Sequence, residues 1–394
     1  MPSIGRLHLV AWLRSKLIMN NQGHTSLGLI NALLAHFNVP IHHAPLLLLK
    51  PYLEKQPQNV VLLVLDGLGE SILNYFEPQG FLKKHQLATI KAVFPPTTVA
   101  SINTLESGKS PKEHAWLGWS LYFHEWDRFI DIFPYQDSLT NEKIPLERGN
   151  AKEILQYQDV YSQIATHSDT KCYVIHPHNI ERTGEHFETV YSQNFEETVK
   201  IIRELCKDDV RKYIYAYSPE PDYSLHVLGT KNLEVGNKIA EMEWLIKTYL
   251  QDVKDSLIII TADHGLVDIE EHIDISAIPE LNACLIRPCF LEPRCTSYFV
   301  KAEKKEHFKT LFNQRFHQDF ILYEKNDPFL HQLFGEGHPH AKFMDFIGDF
   351  VSVAMTNKTI IYKGKRDKFS FSFKAHHAGM TDAEMNVPLI IISN

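Results

Sequence analysis

Short apolar runs recur along the chain and are separated by stretches with helical periodicity. The runs are Val60 to Leu65, Thr89 to Phe94, Cys172 to His176, Tyr213 to Tyr217, Leu257 to Thr261 and Leu389 to Ile392. Runs of this length that alternate with helices are typical of buried strands in a parallel sheet. The pattern therefore predicts an α/β fold, with a mostly parallel central sheet and helices on both of its faces.

The most regular helical pattern lies between residues 234 and 252. Apolar residues recur there at the spacing of one helix face: Val235, Ile239, Met242, Leu245, Ile246 and Leu250. The run that begins at Leu257 follows directly. This segment is expected to be a crossover helix that connects two strands of the sheet.

Two segments lack the alternation of strands and helices. Residues 119–160 are rich in aromatic and acidic residues, and residues 267–365 carry clusters of proline, histidine and charge. We interpret both as excursions from the sheet, and the second as a smaller inserted cap subdomain over its carboxyl edge. The predicted core then comprises residues 20–266 and 366–394, and residues 1–19 form an N-terminal extension.

Composition and charge exclude several classes of protein. With 44% hydrophobic residues among 394, the chain can bury a sizeable core. The net charge of −8, without a long Lys/Arg run, argues against a nucleic-acid polymer or an anionic membrane as partner. The apolar runs are far shorter than the ~20 residues of a membrane-spanning helix, and the N-terminus lacks a signal-peptide pattern. Five cysteines without a CxxC motif fit reduced thiols, so a soluble cytoplasmic protein is expected.

Residues that can bind metal ions lie next to five of the predicted strands. They are Asp66, Thr97 and Thr98, Asp222 and His226, Asp263 and His264, and His376 and His377. Ligands bind beyond the carboxyl ends of strands in open parallel sheets, so these side chains are expected to lie together. Each motif alone also suits a tight turn or a surface histidine, as we expect for His42, His43, His338 and His340. The joint pattern indicates a site for zinc or manganese.

In this order the motifs resemble those of the alkaline phosphatase superfamily, most closely its type I phosphodiesterase/nucleotide pyrophosphatase branch. The similarity runs from about Gly28 to the C-terminus, through VLLVLDGLG, VFPPTTVASINTLESGKSPKEHAWLGW, YSPEPDYSLHVLG, TADHG, LEPRCTSYFV, GHPHAKFMDFIGDFV and HHAGMTDAEMNVPLII. The resemblance implies two divalent metal ions, most often zinc, with manganese as the alternative. It assigns one ion to Asp222, His226 and His377, and the other to Asp66, Asp263, His264 and Thr98.

The FPPTT motif of the same resemblance implies that Thr98 is the catalytic nucleophile, with Thr97 as the alternative. The residues after Thr98 have a helical pattern, so phosphate oxygens would meet free backbone N–H groups and the positive end of a helix dipole. A threonine hydroxyl is a poor nucleophile at neutral pH, and a bound metal ion favours its alkoxide. These features predict a phosphothreonine intermediate that water then hydrolyses.

Two places depart from the related sequences. Those sequences read Gly-x-His-Gly-Gly-Leu-Thr where this chain has residues 375–381. This alignment makes His377, and not His376, the metal ligand. Ala375 and Ala378 stand where the related sequences have glycine. Nucleotide pyrophosphatases have an asparagine at the position of Trp119, whose only polar group is one indole N–H. Trp119 is therefore a candidate substrate-binding residue whose ring suits stacking on a base or sugar.

The predicted function is hydrolysis of phosphodiester or pyrophosphate bonds by a di-metal enzyme, with small phosphate esters or nucleotides as substrates. No arginine follows Thr98 as far as Lys109, whereas phosphomonoesterases of the superfamily use one there to bind a dianionic phosphate. The nearest downstream cations are Lys109 and Arg128. The alternatives are a phosphomonoesterase or phosphonate hydrolase of the same superfamily and, from another class, a non-catalytic metal-binding protein. The sequence does not indicate an oligomeric state.

Overall fold

The computed structural model describes residues 23–145, 150–178, 183–363 and 373–393. The predicted N-terminal extension, residues 1–19, and the predicted boundary at residues 365 and 366 lie outside this part of the chain.

The strands of the described residues form two large sheets and two small ones. In chain order they are β1 (Asn59–Leu65), β2 (Gln86–Lys91), β3 (Ser120–Phe123), β4 (Arg128–Asp131), β5 (Gln136–Asp137), β6 (Lys171–Pro177), β7 (Glu188–Ser192), β8 (Lys212–Ser218), β9 (Ser256–Thr261), β10 (Val267–Asp268), β11 (Glu271–Asp274), β12 (Phe290–Glu292), β13 (Cys295–Tyr298), β14 (Phe320–Glu324), β15 (Phe350–Ala354), β16 (Lys358–Ile361), β17 (Ala375–His376) and β18 (Asn386–Ser393).

Helices connect these strands. In chain order they are α1 (Ser26–His36), α2 (Lys50–Leu53), α3 (Glu70–Phe76), α4 (Phe81–Lys84), α5 (Thr98–Ser107), α6 (Pro111–His114), α7 (Ala151–Ile154), α8 (Val160–His167), α9 (Phe195–Leu205), α10 (Asp222–Leu228), α11 (Leu233–Leu250), α12 (Pro279–Asn282), α13 (Lys305–Phe316), α14 (Pro328–Leu333), α15 (Phe343–Ile347) and α16 (Asp382–Met385). Short 3-10 turns occur at Leu47–Leu49, Ile275–Ala277 and Ala302–Lys304.

The central sheet has the strand order β2-β18-β9-β1-β8-β6-β7. Its pairs are parallel except for those of β18, which runs antiparallel to both β2 and β9. Every residue of β1, β8 and β9 is buried, so helices cover both faces at the centre of the sheet. The predicted fold class, a mostly parallel sheet between helices, is confirmed.

Most of the predicted elements are present, with two differences in the central sheet. The predicted crossover helix is confirmed as α11, with all six of its predicted apolar positions buried. The strand predicted from Thr89 to Phe94 lies earlier, as β2, because Pro95 and Pro96 turn the chain and β2 is an edge strand with alternating exposure. The edge strand β7 was not predicted, since most of its residues are partly exposed and it has no apolar run.

The second large sheet is antiparallel, with the strand order β14-β15-β13-β12-β3-β4-β5. It combines strands from residues 120–137 with strands from residues 290–354, so both of the predicted excursions contribute to one sheet. Aromatic side chains fill its packed face, including Phe123, Phe290 and Phe346. The turn between β12 and β13 carries two buried charged side chains, Glu292 and Arg294, toward the central sheet.

Within the described ranges, no helix combines the length and the apolar character needed to cross a membrane.

Candidate metal centre and nucleophile

The carboxyl ends of three neighbouring strands bring the predicted acidic residues together. Asp66 follows β1, Asp222 begins α10 just after β8, and Asp263 follows β9. The backbone N–H of Asp222 donates to the carbonyl of Asp66 (3.0 Å). Gly67 permits this approach, since it has φ +73° and an added Cβ would lie 2.9 Å from Cα of Asp222. Two strand ends are therefore packed against each other at the site.

His377 reaches the same edge because the last strand runs in the opposite direction. It precedes β18, and the start of an antiparallel strand lies beside the ends of its parallel neighbours. The preceding short strand β17 pairs with β10, which holds the loop against the segment after His264. The imidazole rings of His264 and His377 stack, with 3.9 Å between their centroids.

Six of the predicted ligands form two groups of three in the described residues. The ligand atoms of Asp222, His226 and His377 lie within 4.8 Å of one another. Those of Asp66, Asp263 and His264 also lie within 4.8 Å of one another. The two groups adjoin through the stacked rings of His264 and His377. The grouping is the same as the one that the family resemblance implies.

Several buried ligand atoms of these groups have no hydrogen-bond partner. They are Oδ1 of Asp66, Oδ1 of Asp222, Oδ2 of Asp263 and Nδ1 of His377. A buried acceptor without a partner is unfavourable by about 1–3 kcal/mol, and more when it is charged. Carboxylate oxygens and imidazole nitrogens at this separation suit divalent metal ions with tetrahedral or similar coordination. The donor set therefore fits the two ions that the sequence implies.

The carboxylates strongly influence one another. Burial raises the pKa of Asp66 well above its usual range, and the nearby charges of Asp263 and Asp222 raise it further. Burial also raises the pKa of Asp263, partly offset by the charge of His264. Burial acts in the same direction on Asp222, but the charge and hydrogen bond of His226 outweigh it and leave the pKa of Asp222 lowered. A positive charge at the centre of the site would stabilise all three anions.

Neighbouring groups hold the ligand side chains in orientation. The Tyr217 hydroxyl, at the end of β8, donates to Oδ2 of Asp66 and leaves Oδ1 available. Oδ1 of Asp263 accepts from the backbone N–H groups of Gly67 (3.1 Å) and His264 (3.0 Å), which leaves Oδ2 available. Nδ1–H of His226 donates to the carbonyl of Ala375 (2.7 Å), which directs Nε2 toward Asp222 and leaves it as the ring nitrogen available to a metal ion. Such partners orient ligands in metal sites.

Thr98 lies beside the second group, and Thr97 points away from it. Thr98 is the first residue of α5, and its Oγ1 lies 3.1 Å from Nε2 of His264. The buried hydroxyl of Thr97 instead donates to Oε1 of Glu292 (2.6 Å). Of the two candidate nucleophiles, the geometry favours Thr98.

Of the two adjacent histidines, His377 belongs to a group of candidate ligand atoms and His376 does not. His376 belongs to β17 and is packed among the rings of Phe373, His226 and His272, outside both groups of ligand atoms. Ala378 has φ +83°, in the left-handed region that favours glycine, which explains why related sequences have glycine at this position.

Trp119 directly precedes β3 of the second sheet and is 43% exposed. Its ring packs edge-to-face on Phe133, which is also exposed, with 5.9 Å between the centroids. Its backbone N–H donates to the same oxygen of Glu292 that binds Thr97 (2.7 Å). Trp119 therefore lies close to the turn before Thr98 and presents an aromatic ring to solvent.

Sequence reasoning missed a buried ion pair that supports the His377 loop. Arg294 and Glu384 are both 0% exposed, and they form two hydrogen bonds, from Nε (2.6 Å) and Nη2 (2.8 Å). Glu384 also accepts from the backbone N–H groups of Gly379 and Thr381. Gly379 leaves room for the pair, since an added Cβ would lie 2.7 Å from Nη2 of Arg294. The available signal was the sequence Glu-Pro-Arg between two apolar strands.

Replacing Arg294 by leucine is expected to lower the free energy of unfolding by about 3–5 kcal/mol, because Glu384 would be left buried without its counter-charge. Arg315→Leu is the control, since it removes an exposed pair with Glu280 (2.8 Å) and should change stability by less than about 1 kcal/mol. Urea denaturation measures the free energy of unfolding of both variants. Equal losses of unfolding free energy in the two variants would contradict a structural role of the buried pair.

Solved structures with a similar fold include two enzymes named for phosphorus chemistry. Murine ectonucleotide pyrophosphatase/phosphodiesterase 5 has a TM-score of 0.62 at 18% identity, over 85% of this chain and 88% of that chain. An inactive form of the murine protein, in complex with AMP, has a TM-score of 0.62 at 16% identity, over 85% and 87%. Phosphonoacetate hydrolase from Sinorhizobium meliloti 1021, in complex with phosphonoformate, has a TM-score of 0.63 at 15% identity, over 86% and 90%. These similarities establish a shared fold.

A search of curated protein sequences found no match to the chain. The sequence profile of the type I phosphodiesterase / nucleotide pyrophosphatase family matches residues 60–377. The match begins in β1 and includes every candidate ligand from Asp66 to His377, so it covers most of the chain and the whole candidate site. The predicted resemblance is confirmed, and this chain belongs to the type I phosphodiesterase/nucleotide pyrophosphatase family of the alkaline phosphatase superfamily.

Proposed function

We propose that this protein is a di-metal hydrolase that cleaves phosphodiester or pyrophosphate bonds through a phosphothreonine intermediate at Thr98. The observation that carries the proposal is the position of the Thr98 hydroxyl, at the start of α5 and 3.1 Å from His264, beside two adjoining groups of ligand atoms. A protein that only bound metal ions would not require a hydroxyl at that position.

Two divalent ions, most favourably zinc with manganese as the alternative, complete the proposed site. Asp222, His226 and His377 would hold one ion, and Asp66, Asp263 and His264, together with Thr98, would hold the other. When bound, the ions favour the alkoxide of Thr98 and supply positive charge to the phosphate oxygens. The support for this assignment is the set of buried ligand atoms without hydrogen-bond partners.

Thr98 provides the nucleophilic oxygen. Its Oγ1 forms a bond to phosphorus as the bond from phosphorus to the leaving oxygen breaks, and water then breaks the Oγ1–phosphorus bond to regenerate the hydroxyl. The backbone N–H groups of the first turn of α5 have no intrahelical partners, and Thr97 does not cap them with its side chain. These N–H groups point at the position of the phosphate and stabilise its negative charge.

Substrates with one negative charge per reacting phosphate are favoured over monoester dianions. Lys109 follows the C-terminal end of α5, and a helix of ten residues spans about 15 Å, so it lies far from Thr98. Arg128 lies on β4, where it pairs with Asp137 (3.5 Å). Neither of the two cations considered from the sequence is therefore in place to bind the extra charge of a monoester.

Nucleotides are the substrate class that the family supports best, and a phosphonate is the second candidate. AMP binds the murine relative, and phosphonoformate binds the bacterial one. The exposed ring of Trp119 offers a stacking surface for a base. The assignment of Trp119 to substrate binding is part of this proposal.

Replacing His377 by alanine should remove about one of two zinc ions per chain after reconstitution, because its imidazole is one of three protein ligands to that ion. His376→Ala is the matched control and should retain both ions. Elemental analysis of the dialysed proteins gives the metal content. If both variants lost the same amount of zinc, the assignment of the ligand within the His-His pair would be wrong.

Thr98→Ala should reduce the turnover of bis(4-nitrophenyl) phosphate by at least about a thousand-fold, since it removes the nucleophile. Thr98→Ser keeps a hydroxyl and should retain much of the activity, while both variants keep their fold and most of their zinc. Acid quenching of the wild-type reaction should yield a peptide in which Thr98 carries a 4-nitrophenyl phosphoryl group, because only one nitrophenolate leaves in the first step. A fully active Thr98→Ala variant would rule out the proposed intermediate.

The wild-type enzyme should prefer a diester to a monoester. The comparison is kcat/KM for bis(4-nitrophenyl) phosphate against 4-nitrophenyl phosphate at one pH and one zinc content, because that ratio reports differential stabilisation of the two transition states. Phosphonoacetate serves as a third substrate for the phosphonate alternative. A clear preference for the monoester or for phosphonoacetate would overturn the phosphodiesterase assignment but leave the two-metal site intact.

A further inference from the structure

A buried carboxyl from the second sheet contacts the nucleophile turn of the central sheet. Glu292, the last residue of β12, is 6% exposed. Its Oε1 accepts two hydrogen bonds, from the Thr97 hydroxyl (2.6 Å) and from the Trp119 backbone N–H (2.7 Å). Neither the metal groups nor the proposed chemistry makes use of Glu292.

The position of Thr97 explains why this contact matters. Thr97 is the N-cap residue of α5, with extended backbone angles (φ −138°, ψ 148°). A threonine in this position ordinarily turns its hydroxyl oxygen toward the second or third N–H of the helix and caps it. Thr25 does so at the start of α1, where its Oγ1 accepts from the N–H of Gly28 (3.0 Å). Thr97 makes no such bond, because its hydroxyl is directed at Glu292.

We propose that Glu292 is a positioning residue that withholds the Thr97 hydroxyl from α5 and so keeps the first N–H groups of that helix open to the phosphate beside Thr98. The inference rests on the proposed function, since it assumes that phosphate binds at Thr98. Capping by Thr97 would occupy the N–H groups that the phosphate needs. It would also rotate the side chain that precedes the nucleophile.

Glu292 is well placed to hold Thr97 because its own position is determined from several sides. Its carbonyl accepts from the Thr296 hydroxyl (2.8 Å), and its backbone pairs with Cys295 across the β12–β13 turn. An added Cβ on Gly118 would lie 3.0 Å from Cγ of Glu292, so the segment before Trp119 packs closely against it. The acceptor oxygen is therefore a rigid point to which the turn is attached.

The charge of Glu292 is not needed for this role. Burial raises the pKa of Glu292 to about 7, against the lowering effect of the hydrogen bonds from Thr97 and Trp119. Oε1 can accept both hydrogen bonds in either protonation state. Glutamine also offers one acceptor oxygen, so a Glu292→Gln variant should still hold the Thr97 hydroxyl. A Glu292→Leu variant offers no acceptor and should not hold it.

The test compares single and double variants of the zinc-loaded enzyme in hydrolysis of bis(4-nitrophenyl) phosphate. Glu292→Leu should lower kcat/KM by about a hundred-fold, the lower end of the loss seen when a donor to a reacting oxygen is removed. Glu292→Gln should stay within about three-fold of wild type, and Thr97→Val within about five-fold, since valine cannot cap the helix. The double variant Thr97→Val with Glu292→Leu should be faster than Glu292→Leu alone, because it removes the competing cap.

A second measurement separates this inference from the proposed function. Titration calorimetry with inorganic phosphate should show weaker binding to Glu292→Leu and recovery in the double variant, whether or not the enzyme hydrolyses the diester. Thr356→Val is the control, since it removes a similar hydroxyl-to-carboxylate bond, to Asp319 (2.8 Å), and should leave both measurements unchanged.

The inference is overturned if the double variant is as slow as Glu292→Leu or slower, or if Glu292→Gln is as impaired as Glu292→Leu. Should Glu292→Leu fail to fold, Glu292→Met takes its place in the same comparison. Failure of wild-type diester hydrolysis, with the phosphate-binding pattern intact, would count against the proposed function alone.

Discussion

Three carboxyl groups converge at the carboxyl edge of the central sheet, and the surrounding side chains accommodate this concentration of negative charge. Asp66, Asp222 and Asp263 come from adjacent strand ends, and burial together with mutual repulsion raises the pKa of Asp66 well above its usual range. Such an arrangement is relieved by protonation of a carboxyl group or by nearby positive charge. Despite burial, Asp222 raises the pKa of His226, whose imidazole can provide part of that positive charge, and divalent ions would provide the rest.

The second sheet supports this site through the end of β12 and the turn that follows it. Glu292 at the end of β12 and Arg294 in the turn place two buried side chains at the interface with the central sheet. Arg294 binds Glu384 and so orders the loop that carries His377, while Glu292 binds the residue before Thr98. The residue before Thr98 and the loop that carries His377 are thus attached to the same segment of the second sheet. This arrangement gives the second sheet a role in the geometry of the site as well as in covering it.

The departures from related sequences lie next to the site and not among its ligands. Ala378 has a backbone conformation that glycine adopts more easily, yet it directly follows His377 without displacing that ring from its group. Trp119 replaces an asparagine of the nucleotide pyrophosphatases and presents an aromatic surface where related enzymes have an amide. The two groups of candidate metal ligands therefore match those that the family resemblance implies, while the exposed surface at Trp119 differs from it.

The sequence by itself determined the fold class, six strands of the central sheet, the helix α11 and the identity of the residues that meet at the site. It did so because buried parallel strands are continuous apolar runs, and because the residues after such strands converge at one edge. Only the tertiary structure decided that β18 is antiparallel and brings His377 to that edge, that residues 120–137 join the second sheet, and that Glu292 and Arg294 support the site. These features depend on pairings between segments far apart in the chain, and local periodicity carries no information about which distant partner a strand or a buried charge will meet.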